Sequence, residues 1–478
     1  LECFPHFLFL KKKYQSIMKK STRRSFLQSS GLTAASTIGF PAIIRGQNLN
    51  SKIRVACIGV GGKGDSDTKN AAKEGGEIVA LCDVDSNTLE KMAKSFPKAA
   101  KFQDFREMFD KMADQIDAVT VSTPDHCHGV AGIQAMQLGK HAYVQKPLTQ
   151  TVWEARTMKE LAKEKNLATQ MGNQGSAMDG LRRSVEVIHS GAVGKPTELH
   201  VWTNRPIWPQ GLARPEGEDP IPENLDWDLW LGPAEDRPYK KGVYHTFKWR
   251  GWKDFGTGAL GDMACHTVNM PFRALKLGYP TRIECEFSSR DYPETFPLSS
   301  RIRFDFPARE GWPPLKFYWY EGKPTSDFWP IRPYSDLTKH VVAAQGKLPT
   351  SGCLIIGDEG ELYSGDDYGR DFSLMRKDDK VYIPGHQHEF CKAIPESIPR
   401  SPGHVKEWFD MMKGGAPAYS NFEVAGYLTE VILLGCIAQN IGEGRPINWD
   451  GPNMRSTDNE EASKLVKRSY RDGWEPKV

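Results

Sequence analysis

The chain has 478 residues, 39% hydrophobic and 26% charged, an ordinary globular composition and more chain than one small core accommodates. Its formal charge of +3 hides an asymmetry: residues 1–47 hold eight Lys/Arg against a single acid, Glu2, so the remainder is mildly acidic and lacks the basic footprint of a nucleic-acid binder. Nine cysteines with no Cys-x-x-Cys pair argue against a zinc ribbon or a disulfide framework.

From Met18 the chain reads Lys19-Lys20-Ser21-Thr22-Arg23-Arg24-Ser25-Phe26-Leu27, then a weakly apolar stretch from Gly31 to Ile44. Paired arginines, Phe-Leu and a modest apolar region resemble a twin-arginine export signal, with residues 1–17 reading as a misread upstream start. The stretch is short and broken by Thr, Ser, Gly and Pro41, which argues against a membrane anchor. Residues 1–50 are therefore expected to be signal peptide and linker, and the folded part periplasmic.

Residues 51–172 alternate between strand and helix patterns, which implies a doubly wound parallel sheet, the Rossmann arrangement of α/β proteins. The apolar run Ile53–Ile58 enters Gly59-Val60-Gly61-Gly62-Lys63-Gly64. Gly59 permits the tight turn, Gly61 lets backbone N–H groups approach a pyrophosphate, and Gly64 lets the next helix pack close. A second strand, Glu77–Cys82, ends in Asp83, about twenty residues on, where a ribose-binding carboxylate belongs. That carboxylate would repel a 2′-phosphate, so the expected cofactor is NAD; Asp85 or Ser86 suits the cap of the following helix better. Further helices are expected at Ser86–Ser95 and Asp104–Ala113. The strand Ile116–Val121 runs into Ser122-Thr123-Pro124-Asp125-His126-Cys127-His128, and the strand His141–Val144 into Gln145-Lys146-Pro147. Both segments fall at carboxyl ends of strands, where ligands bind in such sheets.

Residues 173–440 read as an α+β domain with a large, mainly antiparallel open sheet, its strands at Thr197–Trp202, Arg282–Phe287, Arg301–Phe306 and Leu315–Tyr320. In Arg301–Phe306 the residues Ile302, Phe304 and Phe306 share one face and Arg301, Arg303 and Asp305 the other, the period of a half-buried strand. Helices at Gly403–Lys413 and Glu423–Ile441 close the fold, and residues 441–478 read as a surface tail. Residues 204–255 form a proline-stiffened insert with Trp208, Trp227, Trp230, Tyr239, Tyr244, His245, Trp249 and Trp252. Such rings either stack on a sugar or fill the insert's own core; most are expected to pack and one or two to meet substrate.

Gly258-Ala259-Leu260-Gly261-Asp262-Met263-Ala264-Cys265-His266 places Asp262 and His266 four apart, on one face of a helix. In isolation such a pair is usually structural. A histidine near its ordinary pKa of about 6.5 suits a general base for a hydroxyl proton. The pairs His126-x-His128 and His386-x-His388-Glu389 show no third and fourth ligands, so no metal is assigned.

Together with Thr123-Pro124-Asp125-His126, Gln145-Lys146-Pro147 and Met171-Gly172-Asn173-Gln174, these motifs resemble the Gfo/Idh/MocA oxidoreductases, in particular their exported branch. The resemblance implies catalytic roles for Lys146, Asp262 and His266. It also implies a cofactor set of Gly59, Gly61, Gly62, Gly64, Asp83, Ser122, Thr123, Pro124, His126, Gln145, Lys146 and Gln174. The family's usual Glu-Lys-Pro is Gln-Lys-Pro here, which leads one to expect a Lys146 that loses its proton more easily. Many relatives carry an acid at the position of Asn269. The implied activity is NAD-dependent oxidation of a sugar, glycoside or polyol hydroxyl, with C3 oxidation to a keto-sugar on a retained cofactor as one form. Rival readings are an NAD-dependent glycoside hydrolase, whose members generally replace the lysine, and a non-catalytic NAD-bearing binding protein. The family also implies a homo-oligomer joined through the second sheet.

Overall fold

The computed structural model describes residues 52–289, 292–323 and 331–478; the expected twin-arginine segment and linker, residues 1–50, lie outside the described residues. The first sheet contains β1 (Arg54–Ile58), β2 (Glu77–Cys82), β3 (Ala100–Phe102), β4 (Ala118–Val121), β5 (His141–Val144) and β6 (Thr169–Met171). All pairings are parallel, in the order β3-β2-β1-β4-β5-β6, so the order reverses beside β1. Strands covered by helices on both faces need apolar residues on both, and Val55, Ala56 and Cys57 are all fully buried. Cys57 and Cys82 serve there as small apolar residues. Helices Lys63–Lys73, Ser86–Ala93, Phe105–Met112 and Asp125–Gln137 connect the strands, the second and third within a few residues of their expected limits. Asp85, not Asp83, caps the second of these, accepting from the backbone N–H groups of Asn87 and Thr88.

The second sheet comprises β7 (Pro196–Thr203), β8 (Arg282–Ser288), β9 (Ser300–Phe306), β10 (Leu315–Glu321), β11 (Gly352–Gly357), β12 (Gly360–Ser364), β13 (Ser373–Arg376), β14 (Ile383–Pro384), β15 (Ile447–Asp450) and β16 (Arg455–Ser456). Its order is β14-β13-β12-β11-β7-β10-β9-β8-β15-β16, and among the described residues only β7 and β10 pair in parallel. On β9, Ile302, Phe304 and Phe306 are buried, while Arg303 on the opposite face pairs with Glu284 and Glu286. The alternation read from the sequence is thus the alternation of the sheet.

The helix Phe422–Ile441 is apolar nearly all round because it is enclosed between the sheet and the first domain. Gly426 gives it close approach to the helix Val152–Glu164, since a Cβ there would lie 3.2 Å from the carbonyl oxygen of Ala155. Arg156 and Glu430 form a buried ion pair across that seam, with the Tyr279 hydroxyl 2.6 Å from the guanidinium. On its other side the same helix supports Gly258–Thr267, where a Cβ on Gly435 would strike Leu260. This stacking fixes the height at which Asp262 and His266 face the first sheet.

The C-terminal segment departs from expectation. Residues 441–478 are not a surface tail: β15 and β16 extend the sheet edge, and Trp474 is buried against Phe105 of the first domain. Most basic side chains here pair with acids of the same segment, such as Lys464 with Glu460, but Arg471 finds Asp228 and Asp236 on a distant element, which local sequence does not reveal.

Candidate functional site

At the carboxyl ends of β1, β2, β4 and β5 lies a cavity of about 600 Å³, walled on its other side by the insert and the helix Gly258–Thr267. Such placement is what the strand-order reversal beside β1 favours. Gly59, Gly61 and Gly62 form its floor at the turn after β1. Gly59 has φ +75° and sits against the Ser122 backbone. Gly64 lies beneath the turn rather than on the wall, where a Cβ would come within 1.9 Å of the Gly59 carbonyl oxygen. Gly59 and Gly64 each therefore have a steric cause.

Asp83 lines the cavity, its Oδ2 accepting from Val60 N at 2.9 Å and its Oδ1 from Asp85 N at 3.0 Å. Burial pushes its pKa up to about 6 against these hydrogen bonds, so it remains a carboxylate at neutral pH. Ser122, Thr123, Pro124, Gln145, Lys146 and Gln174 also face the cavity. His126 does not: its ring is buried against Trp230 and Phe255, and Nε2 lies 3.0 Å from the Trp230 carbonyl oxygen. His128 lies between two cavity segments, Nδ1 2.8 Å from the Pro147 carbonyl oxygen and Nε2 2.9 Å from that of Thr123, and its single N–H donates to one of them. His388 is likewise engaged, by Asp379 and the Phe390 backbone, and no group of three metal-ligating side chains occurs among the described residues.

Asp67 explains Gln145. This buried carboxylate pairs with Lys63 and accepts from Ser122 Oγ and Gln145 Nε2, each at 2.8 Å. A glutamate at 145 would set two carboxylates face to face, whereas the amide donates a hydrogen bond.

At the other end, Lys146 Nζ lies 2.7 Å from Asp262 Oδ1 and also donates to the Asp262 carbonyl oxygen at 3.2 Å. Arg250 Nε donates to the same Oδ1 at 3.1 Å. Burial alone would lower the Lys146 pKa, but Asp262 outweighs it and the net shift is upward. This corrects the expectation of an easily deprotonated lysine, because its charge is governed by Asp262 rather than by residue 145. Burial would likewise raise Asp262; Lys146 and Arg250 reverse this and hold it below its ordinary value.

His266 shares the helix face with Asp262, and both line the cavity. Burial, then the charge of Lys146, pushes its pKa down to about 3. It is therefore neutral at working pH, not half-titrated near 6.5. Nδ1 is buried without a hydrogen-bond partner among the described residues, and Tyr368 meets the ring edge-on at 4.9 Å. Asn269 stands off the cavity wall, bonded to Ser176 and Arg273.

Three further residues complete this end. Asp125 is 1% exposed, accepts from Thr257 Oγ1 at 2.8 Å and leaves Oδ1 without a partner among the described residues; burial, with Asp262 nearby, pushes it up to about 7. It stands within a motif the sequence displayed. Arg250 and Tyr368 carry no local signal beyond, for Arg250, the aromatic insert around it. That insert has its own core of Trp227, Trp230, Tyr239, Tyr244, Trp252 and Phe255, while Trp208, Trp230, His245 and Trp249 also reach the cavity.

A glycine turn beneath a parallel sheet, an acid at the end of β2 and a charged cluster beneath a second, mainly antiparallel sheet define a two-domain nicotinamide-nucleotide protein. Residues 53–173 match the family model described as the GFO_IDH_MocA oxidoreductase family, NAD-binding Rossmann fold, and residues 182–286 match the C-terminal alpha/beta domain of that family. The chain belongs to the Gfo/Idh/MocA oxidoreductases, and its first domain is the NAD-binding one.

It is 31% identical over 163 residues to a glycosyl hydrolase family 109 protein of Shewanella pealeana, covering 28% of this chain and 35% of that protein. It is 27% identical over 174 residues to the scyllo-inositol 2-dehydrogenase (NAD(+)) of Bacillus subtilis, covering 36% and 47%. The matched stretches thus span only about a third to a half of these relatives. A WlbA dehydrogenase from Bordetella pertussis, solved with NADH and UDP-GlcNAcA, shares the fold at a TM-score of 0.55 and 14% identity, over 84% of this chain and 99% of that one.

The residues present fit NAD: the turn at Gly59–Lys63 offers backbone N–H groups and a helix N-terminus to the pyrophosphate, and Asp83 offers a carboxylate to a ribose.

Proposed function

We propose that the protein oxidises a secondary hydroxyl of a sugar, glycoside or polyol with NAD. The observation that carries this reading is the convergence of Lys146 and Arg250 on one oxygen of Asp262, beside a neutral His266, in the same cavity as Asp83 and the glycine turn. When bound, NAD supplies the hydride acceptor. Two cations share one anion, so the cluster carries surplus positive charge where a hydroxyl oxygen becomes more negative as its proton leaves. His266 accepts that proton, being neutral at working pH. Asp262 holds Lys146 in place, and the rings of Trp208 and Trp249 offer apolar faces to a pyranose.

Ring-hydroxyl oxidation to a keto-sugar on a retained cofactor is the specific form we favour, and the twin-arginine segment motivates placing it in the periplasm. With glycoside alone, a single-turnover burst of NADH absorbance below one per chain should appear, then vanish on adding a 3-keto-sugar. Turnover sustained only by added free NAD+ would refute retention, and no NADH with any member of a sugar, glycoside and polyol panel would refute the oxidoreductase reading. Replacing Arg23 and Arg24 with Lys should hold the protein in the cytoplasm; unimpaired export would refute the location.

The similarity to family 109 proteins favours one second reading, transient oxidation within glycoside hydrolysis. Glycoside cleavage without net redox change would establish it. For assembly, the face of the second sheet bearing Arg303, Glu284 and Glu286 is proposed to meet a second copy; a monomer in light scattering at micromolar concentration would refute this.

A further inference from the structure

The C-terminal segment reaches the cavity at Trp474, beside Val84, Gln103 and Phe105. The ring is 6% exposed and meets Phe105 edge-on at 5.9 Å. The Arg106 guanidinium lies 3.9 Å from the ring centroid, and its Nη1 donates to the Gly473 carbonyl oxygen at 3.4 Å. Asp104 fixes Arg106 in turn, at 2.7 Å.

The same segment is bound to the insert. Arg471 Nη1 lies 2.6 Å from both Asp228 and Asp236, and its Nε donates to the Gly232 carbonyl oxygen at 3.0 Å. Arg468 donates to Gln150 and to the Pro233 carbonyl oxygen. The insert is itself bound to the first domain just beyond Asp83: Asp226 N donates to Val84 O at 3.0 Å, and Ser86 N to Asn224 O at 2.8 Å. Between these attachments the helix Trp227–Leu231 turns Leu229 and Trp230 toward the cavity. First domain, insert and C-terminal segment therefore close a continuous ring around the part of the cavity that begins at Asp83.

We infer that residues Arg468–Trp474 are a clasp on the nucleotide site, with Trp474 a cofactor-positioning residue for the adenosine half of NAD. The inference rests on the reading of this cavity as an NAD site, since it is Asp83 that marks the adenosine ribose end. The rings of Trp474, Phe105 and Trp230 supply apolar and π surface of the kind that holds a base without reading its identity. The two carboxylates on Arg471 keep the clasp shut without touching the nucleotide.

The test is the rate at which bound NAD exchanges with excess isotopically labelled NAD, followed by mass spectrometry of the full-length protein, with NAD per chain measured after gel filtration. Trp474→Ala should exchange about tenfold faster or more, within the range that base–aromatic contact supplies. Trp474→Phe should keep most of the retention, and Arg471→Met should exchange faster with Trp474 intact. His266→Ala, outside the cofactor set, separates this role from the chemistry: it should lose turnover and exchange at the parental rate. Parental exchange in both Trp474→Ala and Arg471→Met overturns the clasp and leaves the oxidoreductase reading standing. Should Trp474→Ala not fold, Arg471→Met at the parental rate overturns it alone. A parent protein that binds no NAD overturns both.

Discussion

Replacing Asp125 with Asn should stabilise the protein progressively as pH rises. The carboxyl is buried, accepts one hydrogen bond from Thr257 and has an Oδ1 without a partner among the described residues. Burial, with the nearby Asp262 charge, raises it from its ordinary 3.8 to about 7. The sign follows from proton counting: between those values the folded protein holds a proton that the unfolded chain has released, so stability falls as pH rises through the interval. At about 1.4 kcal/mol per unit, the full interval corresponds to about 4 kcal/mol. Asparagine keeps the acceptor for Thr257 and has no charge to desolvate. Urea unfolding of cofactor-free parent and variant, followed by tryptophan fluorescence at pH 5, 6.5 and 8, measures the difference directly. The variant's advantage should widen by about 3 kcal/mol between pH 5 and pH 8. An offset that does not change with pH would refute the argument, because Asp125 would then ionise alike in both states.

Lys146→Ala and His266→Ala should each reduce turnover by about a hundredfold or more while NAD stays bound; near-parental turnover in either removes that residue from the chemistry. Asp262→Asn strands two partly buried cations, so it should lower stability at neutral pH by about 2 kcal/mol, while Lys146→Met in that background should recover part of the loss in denaturant melts. An Asp262→Asn protein as stable as its parent would contradict the shared-oxygen geometry. With Lys146 raised, the pair's contribution is whole below the ordinary lysine pKa and is lost as pH rises through the raised value; with Asp262 lowered, it is lost at the acid end only below the ordinary carboxylate range. Gly64→Ala drives a Cβ into the Gly59 carbonyl oxygen and should abolish NAD retention; a variant that still co-purifies with NAD would show that the turn has room.

Much of this protein was legible in the sequence because its signals are local. The run into Gly59–Gly64, the acid after β2, the i,i+4 pair Asp262–His266 and the alternation along β9 each occupy a window of about a dozen residues or a fixed offset, where steric rules and periodicity act directly. Lys146 was marked by its motif and by its place at a strand end. What only the tertiary structure decided are the meetings between distant segments. Arg250 comes from the insert to the oxygen of Asp262 already held by Lys146, 116 positions from its acid. Gln145 finds Asp67, His126 turns away from the cavity while His128 lies between two of its segments, and the C-terminal segment lies beside Phe105 rather than on the surface. The protonation states belong to the same class: His266 is neutral and Asp125 poised near 7 because packing removed water and placed particular charges beside them. Desolvation depends on everything that surrounds a side chain, and a linear sequence specifies those surroundings only once the whole chain has packed.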